Sequence, residues 1–186
     1  YFDKDVPTLL VSFARSGNSP ESLGAVDAAE KLCDTLYHMT VTCNADGKLA
    51  KIESNHSKIL SLLLPEETND KSLAMTSSFS NMVLATYLAF SVNSLADQKP
   101  LVEELAKQGN VYLNELSEQV EALLDELHVK RVVYLGSNSL RGIAQECSLK
   151  MLELTAGSVA TLHDTFLGFR HGPKSFLTEG SMTVAY

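Results

Sequence analysis

The sequence predicts an α/β chain built on doubly wound parallel sheets, on three observations. Residues 8–14 (TLLVSFA) and 131–136 (RVVYLG) are continuous apolar runs of strand length, the pattern of strands covered on both faces. Each run is followed by a short polar loop and then by a helical pattern, so strands and helices alternate. The two strand, loop and helix units recur about 120 residues apart, which predicts an internally duplicated architecture with units at 1–97 and 98–186.

In the first unit the strand at 8–14 leads through Arg15–Ser19 into a helix opened by Pro20, whose missing N–H is tolerated in a first turn. Ser19 stands as its N-cap, and apolar or small residues recur at Leu23, Val26, Ala29 and Leu32. A second strand is expected at 36–42 (LYHMTVT), ending at the turn Asn44-Ala45-Asp46-Gly47, then a short helix near 48–53 and a third strand near 58–63. Residues 72–97 read as one long helix carrying Phe79, Met82, Val83, Tyr87, Phe90 and Leu95. Residues 101–127 read as a second, amphipathic helix with Leu105, Tyr112, Leu116, Val120 and Leu123. In the second unit the strand at 131–136 precedes a polar loop, Ser137–Arg141, and a helix at 142–155.

Of 186 residues, 45% are hydrophobic and 20% charged, ordinary for a globular chain with a sizeable core. A net charge of -8 argues against a nucleic-acid or anionic-membrane surface, so a phosphorylated ligand needs a local positive pocket. Cys33, Cys43 and Cys147 are odd in number and widely spaced, which predicts reduced thiols in a cytoplasm. The most apolar stretch, 79–97, is interrupted by Ser80, Asn81, Thr86, Ser91, Asn93 and Ser94 and reads as a buried helix rather than a membrane span. His38, His56, His128 and His163 are isolated and lack metal-ligand spacing. The chain enters a strand almost at once after Tyr1–Pro7 and stops at Tyr186 within an apolar run, so a fragment is expected.

Three stretches carry candidate chemistry. Ser16-Gly17-Asn18-Ser19, with Arg15 before it and Pro20-Glu21-Ser22 after it, can turn N–H groups and hydroxyls toward an anion at a helix N-terminus. An ordinary Ser/Gly connection with a serine cap fits the same pattern. Glu146, Lys150 and Glu153 fall at i, i+4 and i+7, one helical stripe with its carboxylates roughly 10 Å apart along the axis. A solvated charged face is the plainer account of that spacing. His171 stands in Phe169-Arg170-His171-Gly172-Pro173-Lys174-Ser175, where Gly172 and Pro173 fix a turn. An imidazole titrates near neutral pH, yet a lone histidine is commonly structural.

The run SFARSGNSPES resembles the phosphosugar signature of sugar isomerase (SIS) domains, Ser-x-Ser-Gly-x-Ser/Thr. Ala14 stands where the wider family often has serine, and Ala-Arg-Ser-Gly-Asn-Ser-Pro-Glu-Ser is similar to the AgaS-type branch of ketose/aldose isomerases and amino-sugar-phosphate deaminases. The Glu-x-x-x-Lys-x-x-Glu helix and the Arg-His-Gly-Pro turn follow in the family's order. The resemblance implies SIS-type, flavodoxin-like, three-layer α/β/α units, both incomplete, with an upstream strand and downstream elements outside this sequence. It implies that Arg15, Ser16, Gly17, Asn18 and Ser19, with Thr76, Ser77 and Ser137, hold a sugar phosphate. It also implies that Glu153 moves a proton between C1 and C2, supported by Glu146 and Lys150, while His171 assists ring opening.

The activity implied is isomerisation of tagatose 6-phosphate or deamination of galactosamine 6-phosphate, without redox cofactor or metal. The expected ligand is a phosphorylated hexose or hexosamine, bound by a cytoplasmic homo-oligomer with neither nucleic acid nor membrane as partner. Two alternatives stand beside it. A sugar-phosphate-binding SIS regulator would bind without turnover and would be expected to lack Glu153 or His171. An isomerase domain related to glucosamine-6-phosphate synthase would accompany a glutaminase domain.

Overall fold

The computed structural model describes residues 2–54 and 57–186, so His56 lies outside the described residues. The chain divides into two compact units, Tyr1–Gln98 and Lys99–Tyr186, each with its own three-stranded, all-parallel sheet.

In the first unit β1 (Thr8–Ala14), β2 (Leu36–Thr42) and β3 (Lys58–Leu63) lie in that order, at the boundaries the apolar runs predict. The central β2 is buried apart from Tyr37, as an apolar and β-branched run requires. Its pleat splits the cover between two faces. Met39, Val41 and Cys43 pack against Met82 of α2 (Ser77–Phe90), while His38 turns the other way and sets its Nε2 2.7 Å from Glu30 Oε1 of α1 (Pro20–Leu32). The layers are therefore α1, sheet, α2.

Three expected helices are corrected. Residues 48–53 form turns rather than a helix. The Leu49 N–H is drawn to Gly17 O at 3.0 Å, and Leu49 itself is fully buried, so tertiary contacts override a local helical turn. The helix expected over 72–97 is shorter, beginning at Ser77 and ending at Phe90, where Ser91 is extended. Ser94 then starts α3 (Leu95–Val111): its hydroxyl accepts from the Asp97 N–H at 3.2 Å and donates to the Asp97 carboxylate at 2.6 Å. Finally, the helix expected over 101–127 is the end of α3, a π-helical segment Tyr112–Leu116 and α4 (Ser117–Leu127), closed by left-handed His128.

The second unit runs β4 (Arg131–Leu135), α5 (Leu140–Leu154), β5 (Ala160–Asp164), α6 (Phe166–Phe169), a 3-10 turn Pro173–Phe176 and β6 (Ser181–Ala185). Its strand order is β5-β4-β6, so β4 sits between the two strands that follow it. Val132 and Tyr134 face Ala144 of α5, and Val133 and Leu135 face Phe169 and pack with Phe176. Both sheets are thus parallel and covered on two faces, the doubly wound class the alternation predicts.

Candidate functional site

Parallel strands that end together place their outgoing loops on one edge, the usual ligand edge of such sheets. Ala14, Thr42 and Leu63 close β1, β2 and β3 in register. Arg15–Ser19, the turn after β2 and the segment 64–76 therefore leave from the same edge.

The turn after β2 holds the first loop in place. Asn44 Nδ2 donates to Ser16 O at 2.8 Å, and the Lys48 N–H donates to Asn18 Oδ1 at 3.1 Å. Asn18 Nδ2 adds a second bond to Ser16 O at 3.2 Å. Gly17 has φ +70, the left-handed region glycine enters freely. Gly47 packs so closely that a Cβ there would stand 2.4 Å from Ser16 O.

Ser19 occupies the N-cap position of α1, but its hydroxyl donates to Ser22 Oγ at 2.7 Å and the first turn carries no side-chain cap. That turn is left open to an anion, with Ser16 and Ser19 exposed beside it. Arg15, Ser16 and Ser19 form the polar end of a cavity of about 720 Å³ whose other wall includes Phe13, Phe79, Met82 and Tyr87. Arg15 also reaches across this edge, its Nη1 donating to Ser72 O at 2.6 Å.

The second helix start on this edge is closed. Asp70 accepts from the N–H groups of Thr76, Ser77 and Ser78 at 2.9–3.0 Å and from the hydroxyls of Thr76 and Ser78 at 2.7 and 2.6 Å. Burial works against its charge, but the bonds from Ser78 and Thr76 outweigh that and hold the carboxyl far below the ordinary aspartate value of 3.8. With the folded value depressed, Asp70 contributes stability above about pH 4 that is lost as pH falls through that range and below. An Asp70→Asn chain is expected to show a flatter acid limb when thermal midpoints are measured from pH 6 down to about pH 3.

In the second unit α5 carries the Glu-Lys-Glu stripe. Lys150 Nζ lies 3.3 Å from Glu146 Oε1 and 2.5 Å from Glu153 Oε2. The side chains of Lys150, Glu146 and Glu153 are 18%, 20% and 29% exposed, so the stripe is not a freely solvated face. Burial works against the Lys150 ammonium, but the bonds and charges of Glu153 and Glu146 outweigh it and raise its pKa. Glu146 also lines a groove of about 480 Å³ with Gln145, Thr161 and His163.

His171 follows α6, exposed, its Nε2 3.1 Å from Arg170 Nε. The segment that carries it packs through Phe169 and Phe176 on the face of the sheet opposite α5. The helix that carries Glu153 and the segment that carries His171 therefore cover opposite faces of the sheet. Ser137 precedes α5 and Glu153 sits in its last turn, so the two are about 20 Å apart along the helix at 1.5 Å per residue. Among the described residues no group of three or more His, Cys, Asp or Glu is placed to hold a metal, and no helix is long and apolar enough to cross a membrane.

Over 177 residues the chain is 48% identical to D-galactosamine-6-phosphate deaminase AgaS of Shewanella sp. (strain ANA-3), covering 95% of this chain and 44% of that protein. A solved structure of tagatose-6-phosphate ketose/aldose isomerase from Escherichia coli superposes with TM-score 0.87 at 39% identity, covering 100% of this chain and 50% of that one. The chain is AgaS-like, of the SIS type. A Clostridium novyi NT structure superposes more closely, with TM-score 0.94 at 47% identity over 100% of this chain and 47% of that one. The AgaS-like chain spans about half the length of the relatives it matches. No protein-family model matches it.

Of the candidate residues, the AgaS-like chain gathers Arg15, Ser16 and Ser19 at one cavity edge, with Gly17 and Asn18 in the same loop, and Glu146, Lys150 and Glu153 in one ion-paired row. Thr76 and Ser77 start α2, but their N–H groups and the Thr76 hydroxyl are turned to Asp70. Asn44, Gly47 and Asp70 escape sequence reasoning as site residues. The Asn44–Gly47 turn carries a turn signal but nothing in it names the loop it meets, and Asp70 lies too far before α2 to match an N-cap pattern.

Proposed function

We propose that this chain carries the phosphate grip and the proton-transfer carboxylate of an enzyme acting on a hexose or hexosamine 6-phosphate. The observation that supports it most is the exposed Ser16–Ser19 loop at the uncapped start of α1, opening on the cavity. Its hydroxyls, the first-turn N–H groups of α1 and the Arg15 charge supply a local positive end to a chain of net charge -8. Gly17 and Asn18 shape that loop. The names of the relatives, a galactosamine-6-phosphate deaminase and a tagatose-6-phosphate ketose/aldose isomerase, fit the same ligand class.

In this reading Glu153 removes the proton at C2 and returns it at C1, through an enediol for a hexose or an enolamine for a hexosamine. With a hexosamine the product is a ketimine; water adds to it, ammonia leaves and a ketose remains. Lys150 holds Glu153 in place and Glu146 shares its charge. His171 helps open the ring. Because its segment and the helix of Glu153 cover opposite faces of the sheet, a site using both takes them from two copies, which supports a homo-oligomer. Ser137 is then assigned to a contact other than the one Glu153 makes. We place this activity in the cytoplasm, in keeping with the three free thiols.

The test is calorimetric binding of galactosamine 6-phosphate and of unphosphorylated galactosamine to the wild type and to a Ser16→Ala, Ser19→Ala double variant. The double variant is expected to lose about tenfold to a hundredfold in affinity for the phosphorylated sugar alone, the size of one charge-assisted bond. Unchanged affinity for the phosphorylated sugar overturns the reading.

A further inference from the structure

We propose that Arg170 is a positioning residue for ring opening: its Nε–H donates to Nε2 of His171, which keeps the imidazole proton on Nδ1 and makes His171 a hydrogen-bond donor to the sugar rather than a base. The proposal rests on the ring-opening role given to His171 above and adds the group that prepares it.

The direction of that bond is fixed by its partners. A guanidinium has donors only, whereas a neutral imidazole donates from one nitrogen and accepts at the other. Arg170 Nε lies 3.1 Å from His171 Nε2, so Nε2 accepts. The ring proton then stands on Nδ1, since the bond made by one ring nitrogen decides which of the two carries it. Successive side chains at a helix end do not ordinarily face each other, so a bond between positions 170 and 171 needs a backbone held in one conformation. The structure holds it on both sides. Upstream, Phe169 is buried and the His171 N–H donates to Gly168 O at 3.1 Å. Gly172 follows with φ +151, a region that glycine enters freely, and Pro173 fixes the next φ. Downstream, Arg131 Nη1 donates to Phe176 O at 2.8 Å while its guanidinium stands 5.0 Å from the centre of the Phe176 ring.

The chemistry of a closed pyranose then decides what such a histidine can do. The C1–O5 bond breaks with its electron pair going to O5, the O1 hydrogen leaves as C1=O1 forms, and O5 takes up a proton. The proton lost from O1 reaches O5 through water, so the balance closes with no net change at His171. Nδ1–H, donating to O5, stabilises the negative charge that grows there, an electrophilic use of a neutral imidazole. The bond from Arg170 polarises the ring in the direction that strengthens this donor. A base at His171 would instead need a free lone pair to meet the O1 hydrogen, and the one in-plane lone pair of the ring is already bonded to Arg170.

Glutamine and methionine at position 170 separate the bond from the charge. The amide nitrogen of glutamine stands at the same place along its side chain as arginine Nε, so Arg170→Gln keeps the donor. Arg170→Met puts a methyl group there and removes it, and both variants lose the charge alike. Arg170 is exposed, so neither change takes packing from the core. The experiment records two-bond proton–nitrogen NMR spectra of the histidine rings, with His171 assigned by its loss in His171→Gln. Beside it, ammonia release from galactosamine 6-phosphate is measured on the protein that carries this segment. Wild type and Arg170→Gln are expected to show the His171 proton on Nδ1, and Arg170→Met a mixture of both forms. Turnover is expected to fall about tenfold in Arg170→Met with KM within about twofold, the size of one hydrogen bond, and to stay within about threefold of wild type in Arg170→Gln. A wild-type proton on Nε2, an Arg170→Met spectrum like that of the wild type, or equal turnover in Arg170→Gln and Arg170→Met overturns the proposal and leaves the ring-opening role of His171 standing. Full turnover by His171→Gln overturns that role, and this proposal with it.

Discussion

Glu153→Gln is expected to lower turnover about a hundredfold to ten-thousandfold, the range for loss of a general acid–base group. The change is nearly isosteric, so substrate affinity should stay within about threefold, less than one neutral hydrogen bond is worth. The amide keeps an oxygen for Lys150, and the Lys150–Glu146 contact at 3.3 Å persists. What disappears is a carboxylate able to accept a proton from carbon. The measurement is ketose and ammonia release from galactosamine 6-phosphate, made on the protein that carries this segment. Full turnover by Glu153→Gln would remove the base from this position and leave the row of charges a structural role.

The second large effect is expected from Gly47→Ala, a single methyl on a residue that touches no ligand. Its Cβ would stand 2.4 Å from Ser16 O, a backbone atom that cannot rotate away. Relief requires Ser16 or the Asn44–Gly47 turn to move, and either movement disturbs the bonds from Asn44, Lys48 and Leu49 to the loop. Affinity for a hexosamine 6-phosphate is expected to drop by about tenfold or more, since the charge-assisted contacts proposed for the phosphate depend on that loop's geometry. The Glu146–Lys150–Glu153 row lies in the other unit and involves no part of the turn. Unchanged phosphosugar affinity in Gly47→Ala would show that the loop tolerates a displacement the structure does not allow for.

Much of the fold was legible because burial writes itself into composition. β1, β2 and β3 are apolar runs bounded by polar turns, and α1 announces itself through Pro20. The break at Ser91–Ser94 was not legible, since Ser91, Asn93 and Ser94 can equally line the wet side of a helix. It is decided by extended Ser91 and by the bonds of Ser94 to Asp97. Residues 48–53 escaped for a related reason: the partners of Lys48 and Leu49 lie about thirty positions away, at Gly17 and Asn18.

The same division holds for the site. The loop Ser16–Ser19 and the Glu-Lys-Glu spacing are local patterns and could be named from letters alone. Whether that stripe is solvated is a question of packing, and its low exposure answers it. Asp70 bonds Thr76, Ser77 and Ser78 from six to eight positions upstream, beyond any capping rule. That α5 and the segment bearing His171 cover opposite faces of the sheet follows only from which residues of β4 each one meets.

The carbonyl of Ser16 accepts from two amide side chains and that of Gly17 from the Leu49 backbone. The loop is thus ordered before any guest arrives, and association need not pay again in lost backbone freedom. Preorganisation of this kind slows departure more than it speeds arrival. Substitutions around the loop should accordingly register in residence time, with encounter rates left nearly constant.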